Sequence, residues 1–246
     1  MPEPREQFVE TPALPSRNWQ VCYRHEDGDL IELFYNPALA SARQYDRMTG
    51  YFSAGALALA ARGIAALVQH GGRMRLLVGC QPDPPETDAI DQGYDLRRAI
   101  EQNLRQTDIT PPDEPARQAL EMLAWMVANG HLDVKVAVPV DAQGRPERSH
   151  GIYHEKVGII TDAEGNQLSF SGSINETWNG WMENRETFHV FCSWMGEREL
   201  DHVRHDVDAF DKFWNDRAKS VRVFDFPDAA REKLLEFLPT SDRFVT

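Results

Sequence analysis

The stretch Tyr153-His154-Glu155-Lys156-Val157-Gly158-Ile159-Ile160-Thr161-Asp162-Ala163-Glu164-Gly165-Asn166-Gln167-Leu168-Ser169-Phe170-Ser171-Gly172-Ser173-Ile174-Asn175 decides the fold. Residues 151–161 and 167–175 are apolar-rich runs, joined by the polar and small residues Asp162 to Asn166. Such runs across a short glycine-containing connection predict an antiparallel hairpin. Side chains alternate between the two faces of a strand, so His154 and Lys156 are predicted to share one face, and Ser173 and Asn175 another common face. Pairing of the strands then gathers these polar groups into one patch, interrupting the core residues Val157, Ile159, Leu168 and Phe170. Polar groups set into a buried sheet carry a desolvation cost, which points to a function.

Outward from the hairpin, Glu186 to Trp194 reads as a further strand, Glu197 to Asp216 as a helix, Val221 to Phe226 as a strand, and Pro227 to Leu238 as a helix with proline at its start. Towards the N-terminus, Asp133 to Val140 alternates polar and apolar and predicts a strand. Glu114 to Asn129 predicts an amphipathic helix closed by Gly130, and Tyr94 to Arg105 a second helix within an insert over residues 81–130. Arg47 to Ser53, the helix Ala54 to Gln69 and the buried strand Arg73 to Cys80 form a β–α–β unit, whose strands should run parallel. Leu30 to Tyr35 reads as a strand ended by Asn36-Pro37, and residues 1–18 as a flexible lead-in. Mixed strands and helices with antiparallel hairpins in the second half predict an α/β fold: an α/β/α sandwich around one mixed β-sheet. The main domain should span residues 19–226, with residues 227–246 a C-terminal helix and tail leading towards a further domain.

The bulk composition narrows the class. The chain has 246 residues, 41% hydrophobic and 10% aromatic, which is globular composition with length enough for a full core. Its net charge of -13 argues against broad, sequence-blind coating of a polyanion, so such a partner should meet a focused site. The sequence lacks a run of roughly 18 apolar residues and a basic-then-apolar leader, which predicts no membrane partner and a cytoplasmic setting. The three cysteines, Cys22, Cys80 and Cys192, form no Cys-x-x-Cys pair and read as reduced thiols. His202 and His205 with Asp201 and Asp206 read as a solvated helix face rather than a metal site.

Phosphoryl transfer gives the polar patch a use. A neutral imidazole can attack phosphorus and split one hard step into two through a phosphohistidine. A lysine beside it supplies a point charge for phosphate oxygens. A hydroxyl and an amide can hydrogen-bond the equatorial oxygens, and a carboxylate can fix the tautomer of the imidazole. Glu186 is the candidate for that carboxylate, or else it pairs with Arg185 or faces solvent. The scheme calls for no metal and no cofactor. Arg47, with Arg73 and Arg75, either lines a phosphate-binding cleft or forms ordinary strand charges; Trp178 either stacks on a base or covers the sheet.

The stretch from Tyr153 to Gly180 resembles the His-x-Lys … Gly-Ser-x-Asn signature of the phospholipase D superfamily, with His154, Lys156, Gly172, Ser173 and Asn175 in the matching places. Thr161 stands where the signature has an aspartate, and Asp162 comes one residue late, so Asp162 is read as a turn residue. The departure resembles the metal-independent restriction nucleases, in which a glutamate downstream of the asparagine completes the site; Glu186 holds that place. Residues 33–81 resemble the opening of the phospholipase D-like domains fused to bacterial superfamily 2 helicases, and the chain's end resembles the run-up to such a helicase.

The resemblance implies catalytic His154, Lys156, Ser173, Asn175 and Glu186, and substrate-binding Gly172, Arg47 and Trp178. It implies DNA as the partner and substrate, and a helicase as partner or fused domain, in phage defence or DNA processing. One His-x-Lys motif is present, and the superfamily uses two histidines, so a homodimer sharing the site is expected. Two other readings stay open: a catalytically silent DNA-binding or dimerisation module of a helicase, and a phospholipid phosphodiesterase.

Overall fold

The computed structural model describes residues 11–50, 61–79, 114–145, 153–175, 177, 182, 185–226 and 228–239. Among these, the strands are β1 Cys22–Arg24, β2 Gln44–Thr49, β3 Arg73–Gly79, β4 Leu132–Pro139, β5 Val157–Thr161, β6 Gln167–Gly172, β7 Thr187–Cys192 and β8 Val221–Asp225. They form one sheet in the order β1-β7-β6-β5-β2-β3-β4-β8. The pairs β2–β3 and β3–β4 are parallel and the remaining neighbours antiparallel. The described helices are α1 Asn36–Ser41, α2 Ala61–Gln69, α3 Glu114–Ala128, α4 Glu197–Trp214 and α5 Asp228–Leu235.

The two faces of the sheet carry separate cores. On one, Tyr45, Leu76, Ile160 and Phe170 pack with Phe34, Leu39, Ile64 and Trp125 from the helical side. On the other, Met48, Leu77, Val157 and Ile159 meet Phe210 of α4. Ile159 and Ile160 are adjacent yet serve opposite cores, as strand alternation requires. The architecture is the α/β/α sandwich around one mixed sheet that the pattern predicts. The parallel β2–β3 pair joined through α2 is the predicted β–α–β unit. Gly130 ends α3 with φ +72°, the left-handed conformation expected after a helix.

Residues 30–35 depart from the predicted strand. Ile31–Tyr35 is a π-helical turn that runs directly into α1. Ile31, Phe34, Tyr35, Ala38 and Leu39 are all buried, while Glu32 and Leu33 are exposed. That is a helical stripe, and it outweighs the local β propensity of Phe and Tyr. Asp29 starts the turn, its Oδ1 accepting the N–H of Ile31 at 2.9 Å. Pro37 does not break the run: it sits in the first turn of α1, where a missing N–H costs little.

The described part of the N-terminal lead-in is also tied down. Leu14 is fully buried. Its N–H donates to Asp162 Oδ2 at 2.9 Å, and its carbonyl accepts Trp19 Nε1 at 2.8 Å. The short edge strand β1, absent from the sequence reading, then pairs Cys22 with His189 and Tyr23 with Phe188. Tyr23 stacks on Phe188 with centroids 5.4 Å apart, so core contacts hold an element too short to show periodicity.

Candidate active site at one end of the sheet

The β5–β6 hairpin forms as predicted, with Val157 opposite Ser171 and Thr161 opposite Gln167. Its turn is built by Asp162, whose Oδ1 accepts the N–H groups of Glu164 and Asn166, both at 2.9 Å. Gly165 supplies the φ of +85° that the turn needs. Asp162 is therefore a turn residue, and it stands at the end of the hairpin opposite to His154.

At that other end the elements converge. β2 and β3 finish at Thr49 and Gly79, β5 begins at Val157, β6 finishes at Gly172, and β7 begins at Thr187. The predicted strand over 151–161 is shorter than expected: residues 153–156 precede β5 without regular secondary structure. His154 and Glu155 are exposed, and Lys156 is buried. Its carbonyl accepts the N–H of Gly172 at 3.4 Å, and its Nζ donates to the His154 carbonyl at 3.3 Å.

Two glycines seat this segment. A Cβ on Gly79 would lie 2.9 Å from the Tyr153 carbonyl, and one on Gly50 would lie 3.0 Å from the same oxygen and 3.3 Å from the His154 ring. The backbone of 153–154 thus lies against the carboxyl ends of β2 and β3, which only glycine permits. Tyr153 completes the seat: it is buried and packs edge-on against Phe213 of α4, with centroids 5.8 Å apart. Burial raises its phenol pKa well above the usual value.

Gly172 has a comparable task. A Cβ there would lie 2.6 Å from Phe188 Cα, so glycine lets the β7 backbone close against the end of β6. The next residues turn out of the sheet. Ser173 is exposed, and its N–H donates to the Thr187 carbonyl at 3.0 Å. Its hydroxyl donates to that same carbonyl at 3.3 Å and accepts the Thr187 N–H at 3.1 Å. Ile174 is fully buried, and Asn175 Oδ1 accepts the Thr49 hydroxyl at 3.5 Å. Thr49 carries no motif signal in the sequence, although it lies two residues beyond Arg47 on the same strand face.

The floor of the site is charged. Arg47 is fully buried, its Nη2 donating to the Ile174 carbonyl at 2.6 Å and its guanidinium lying 5.1 Å from the Phe170 ring centroid. Glu186 is buried just before β7, and its carbonyl accepts the His25 N–H at 3.3 Å. Burial first, and the Arg47 charge second, push the Lys156 pKa below the usual lysine value, while Glu186 and Glu155 oppose the shift.

Other candidates lie elsewhere. Arg75 faces α4, where it forks onto Asp46 with two contacts of 2.7 Å and stacks over Phe210 at 4.7 Å. Arg73 begins β3, at the end of the sheet remote from His154. His202 is exposed and stacks on Phe191 at 4.3 Å. Among the described residues no three His, Cys, Asp or Glu side chains cluster as a metal site would. Burial pushes the Cys192 thiol up to about 12, that of an inert apolar residue. No described helix is long and apolar enough to cross a membrane. Trp178, Cys80 and the insert residues 81–113 fall outside the described residues.

No family model matches this sequence. No curated protein matches it. Among solved structures the chain is similar to NucT from Helicobacter pylori, at 14% identity and a TM-score of 0.46, over 82% of this chain and 97% of that one. It is similar to Nuc from Salmonella typhimurium, described as a phospholipase D family member, at 14% identity and a TM-score of 0.43, over 84% of this chain and 96% of that one. It is also similar to a phosphatidylserine synthase from Haemophilus influenzae, at 14% identity and a TM-score of 0.40, over 84% of this chain and 42% of that one.

Proposed function

We propose that this chain is a phosphodiesterase that cleaves DNA through a covalent phosphohistidine on His154. The observation that supports the reading is the exposed imidazole of His154 at the rim of a floor holding two buried cations, Lys156 and Arg47. Buried cations at one spot of a chain with net charge -13 suit a focused anion site.

In the proposed reaction a neutral His154 nitrogen attacks phosphorus, and the bond from phosphorus to the leaving oxygen breaks. The leaving oxygen takes a proton from a second imidazole, which then deprotonates the water that hydrolyses the phosphohistidine and releases His154. The chain carries one His-x-Lys motif, so the second imidazole is His154 of a second copy across a two-fold axis. Lys156 supplies charge to the phosphate oxygens, Asn175 supplies amide donors, and Glu186 balances the charge of the floor. Ser173 is committed to the Thr187 backbone and serves to hold the turn. The sequence resemblance adds a cytoplasmic helicase as the proposed partner, in DNA processing or phage defence.

The test is turnover of single-stranded and duplex DNA, with phosphatidylcholine as a control substrate, each measured with and without EDTA. DNA cleavage in EDTA, its loss in His154→Ala, and recovery after a denaturing alkaline quench of a DNA fragment joined through its phosphate to His154 are expected. Activity that disappears with EDTA but survives His154→Ala overturns the mechanism. DNA binding without turnover makes the chain a docking module, and turnover of the lipid alone overturns the substrate.

A further inference from the structure

We infer that Arg47 is a positioning residue that holds the Ser173–Asn175 turn in its reactive geometry from beneath, and that it does not itself touch the substrate. The inference rests on the phosphodiesterase reading for its kinetic test, but its geometry stands apart from that reading.

Arg47 is among the largest fully buried side chains of the protein. It lies in β2, opposite Gly158 of β5, and Gly158 in turn lies opposite Phe170 of β6. A Cβ on Gly158 would overlap the Phe170 ring. Glycine at this point lets the Phe170 ring lie over the strand, with the guanidinium 5.1 Å from its centroid. The guanidinium is steered to the Ile174 carbonyl, 127 residues away in sequence, at 2.6 Å.

That carbonyl belongs to the peptide linking Ile174 to Asn175, so its orientation sets the direction in which Asn175 leaves the sheet. Thr49, two residues on and facing the same way, reaches Asn175 Oδ1 at 3.5 Å. β2 thus holds the turn at two successive residues, while Thr187 holds Ser173 from the other side. A turn anchored on both flanks keeps its donors in place without reorganisation when charge develops on a phosphate. Burying a guanidinium is costly, and an aliphatic side chain would fill the same space at less cost. The charge is therefore kept for what it does to its surroundings. It orients one carbonyl, and it raises the positive potential felt by Lys156, which Glu186 and Glu155 also face.

The test compares full-length wild type, Arg47→Lys and Arg47→Met for kcat, KM and the pH profile on DNA, with amide hydrogen exchange as a readout free of activity. A displaced turn should lower kcat about a hundredfold in Arg47→Met with KM changed little, since a misplacement of about 1 Å costs on that order. The basic limb of the pH profile should move upward, because a cation facing Lys156 has been removed. Exchange at Asn175 should quicken while β3 and β4 stay protected. Arg47→Lys keeps the charge but not the fork; it should hold the pH limb and lose part of kcat. A raised KM at unchanged kcat in either variant means direct substrate contact and overturns the inference, as does a folded variant indistinguishable from wild type. If Arg47→Met does not fold, Arg47→Lys decides by the same criteria. If wild type turns over no phosphodiester, the functional reading falls separately; exchange at Asn175 then decides, unchanged exchange overturning the positioning role.

Discussion

Asp162 Oδ2 accepts the backbone N–H of Leu14 at 2.9 Å, across 148 residues of sequence. The same carboxylate also holds the N–H groups of Glu164 and Asn166 and the side-chain amide of Asn166 at 3.0 Å. It closes the hairpin and pins the N-terminal segment with one group. The five residues of β5, about 16 Å at roughly 3.3 Å per residue, lie between it and the site. Asp162→Ala leaves these donors unsatisfied and should cost about 2–4 kcal/mol. Urea denaturation should show the loss, while kcat per folded molecule stays that of wild type. A large fall in kcat at unchanged stability would return Asp162 to the reaction.

Gly172 is expected to tolerate no side chain. With Phe188 Cα only 2.6 Å from where a Cβ would lie, Gly172→Ala must push β7 away from β6. The loss should be about 1–3 kcal/mol, typical of overpacking. Activity should fall further than stability does, because Ser173 and Thr187 lose their shared contacts. Thermal denaturation and kcat, measured together, check both halves.

Gly79→Ala separates placement of His154 from its chemistry. The added methyl meets the Tyr153 carbonyl at 2.9 Å and the Gly50 carbonyl at 3.0 Å, so the 153–154 segment has to move. A drop in kcat of about tenfold or more is expected, with the protein still folded by circular dichroism. Wild-type kcat in this variant would mean that the seat is not needed.

Lys156 sets a pH dependence. Its pKa lies below the usual 10.5, by burial first and the Arg47 charge second. If its charge serves the phosphate, kcat/KM should fall on a basic limb below that of a free lysine. The stability sign is opposite. Between the folded and unfolded pKa values the unfolded chain binds more protons, so stability rises with pH through that window. Lys156→Met should flatten this rise and remove the basic limb, as read from denaturation midpoints and a kcat/KM profile over the same pH range.

Much of the fold was legible in local pattern. The hairpin around Asp162–Asn166, the parallel unit across α2 and the helices α3 and α4 all carry periodicity over enough residues to outweigh noise. Residues 31–35 misled because Phe and Tyr favour strands, and only the partners across Ile31, Phe34, Ala38 and Leu39 reveal a helical stripe. β1 was illegible because three residues have no period, and its place depends on Phe188.

The same division runs through the candidate site. The residue types at 154, 156, 172, 173 and 175 and their spacing follow from covalent order, and strand pairing alone brings them near one another. Burial does not follow from order. The sequence left Arg47 as either a cleft residue or a surface charge, and it lies beneath the turn. Ser173 offered a hydroxyl, and Thr187 already holds it. Glu186 reads from the sequence as a partner of His154 or a solvent-facing residue, and it is buried just before β7. Each of these depends on which distant backbone atom lies within about 3 Å, a quantity set by how the sheet closes and where glycines 50, 79, 158 and 172 let chains approach. The sequence by itself determined the chemical groups and their order at the ends of two strands; the tertiary structure alone decided which of them meet solvent and which hold the others in place.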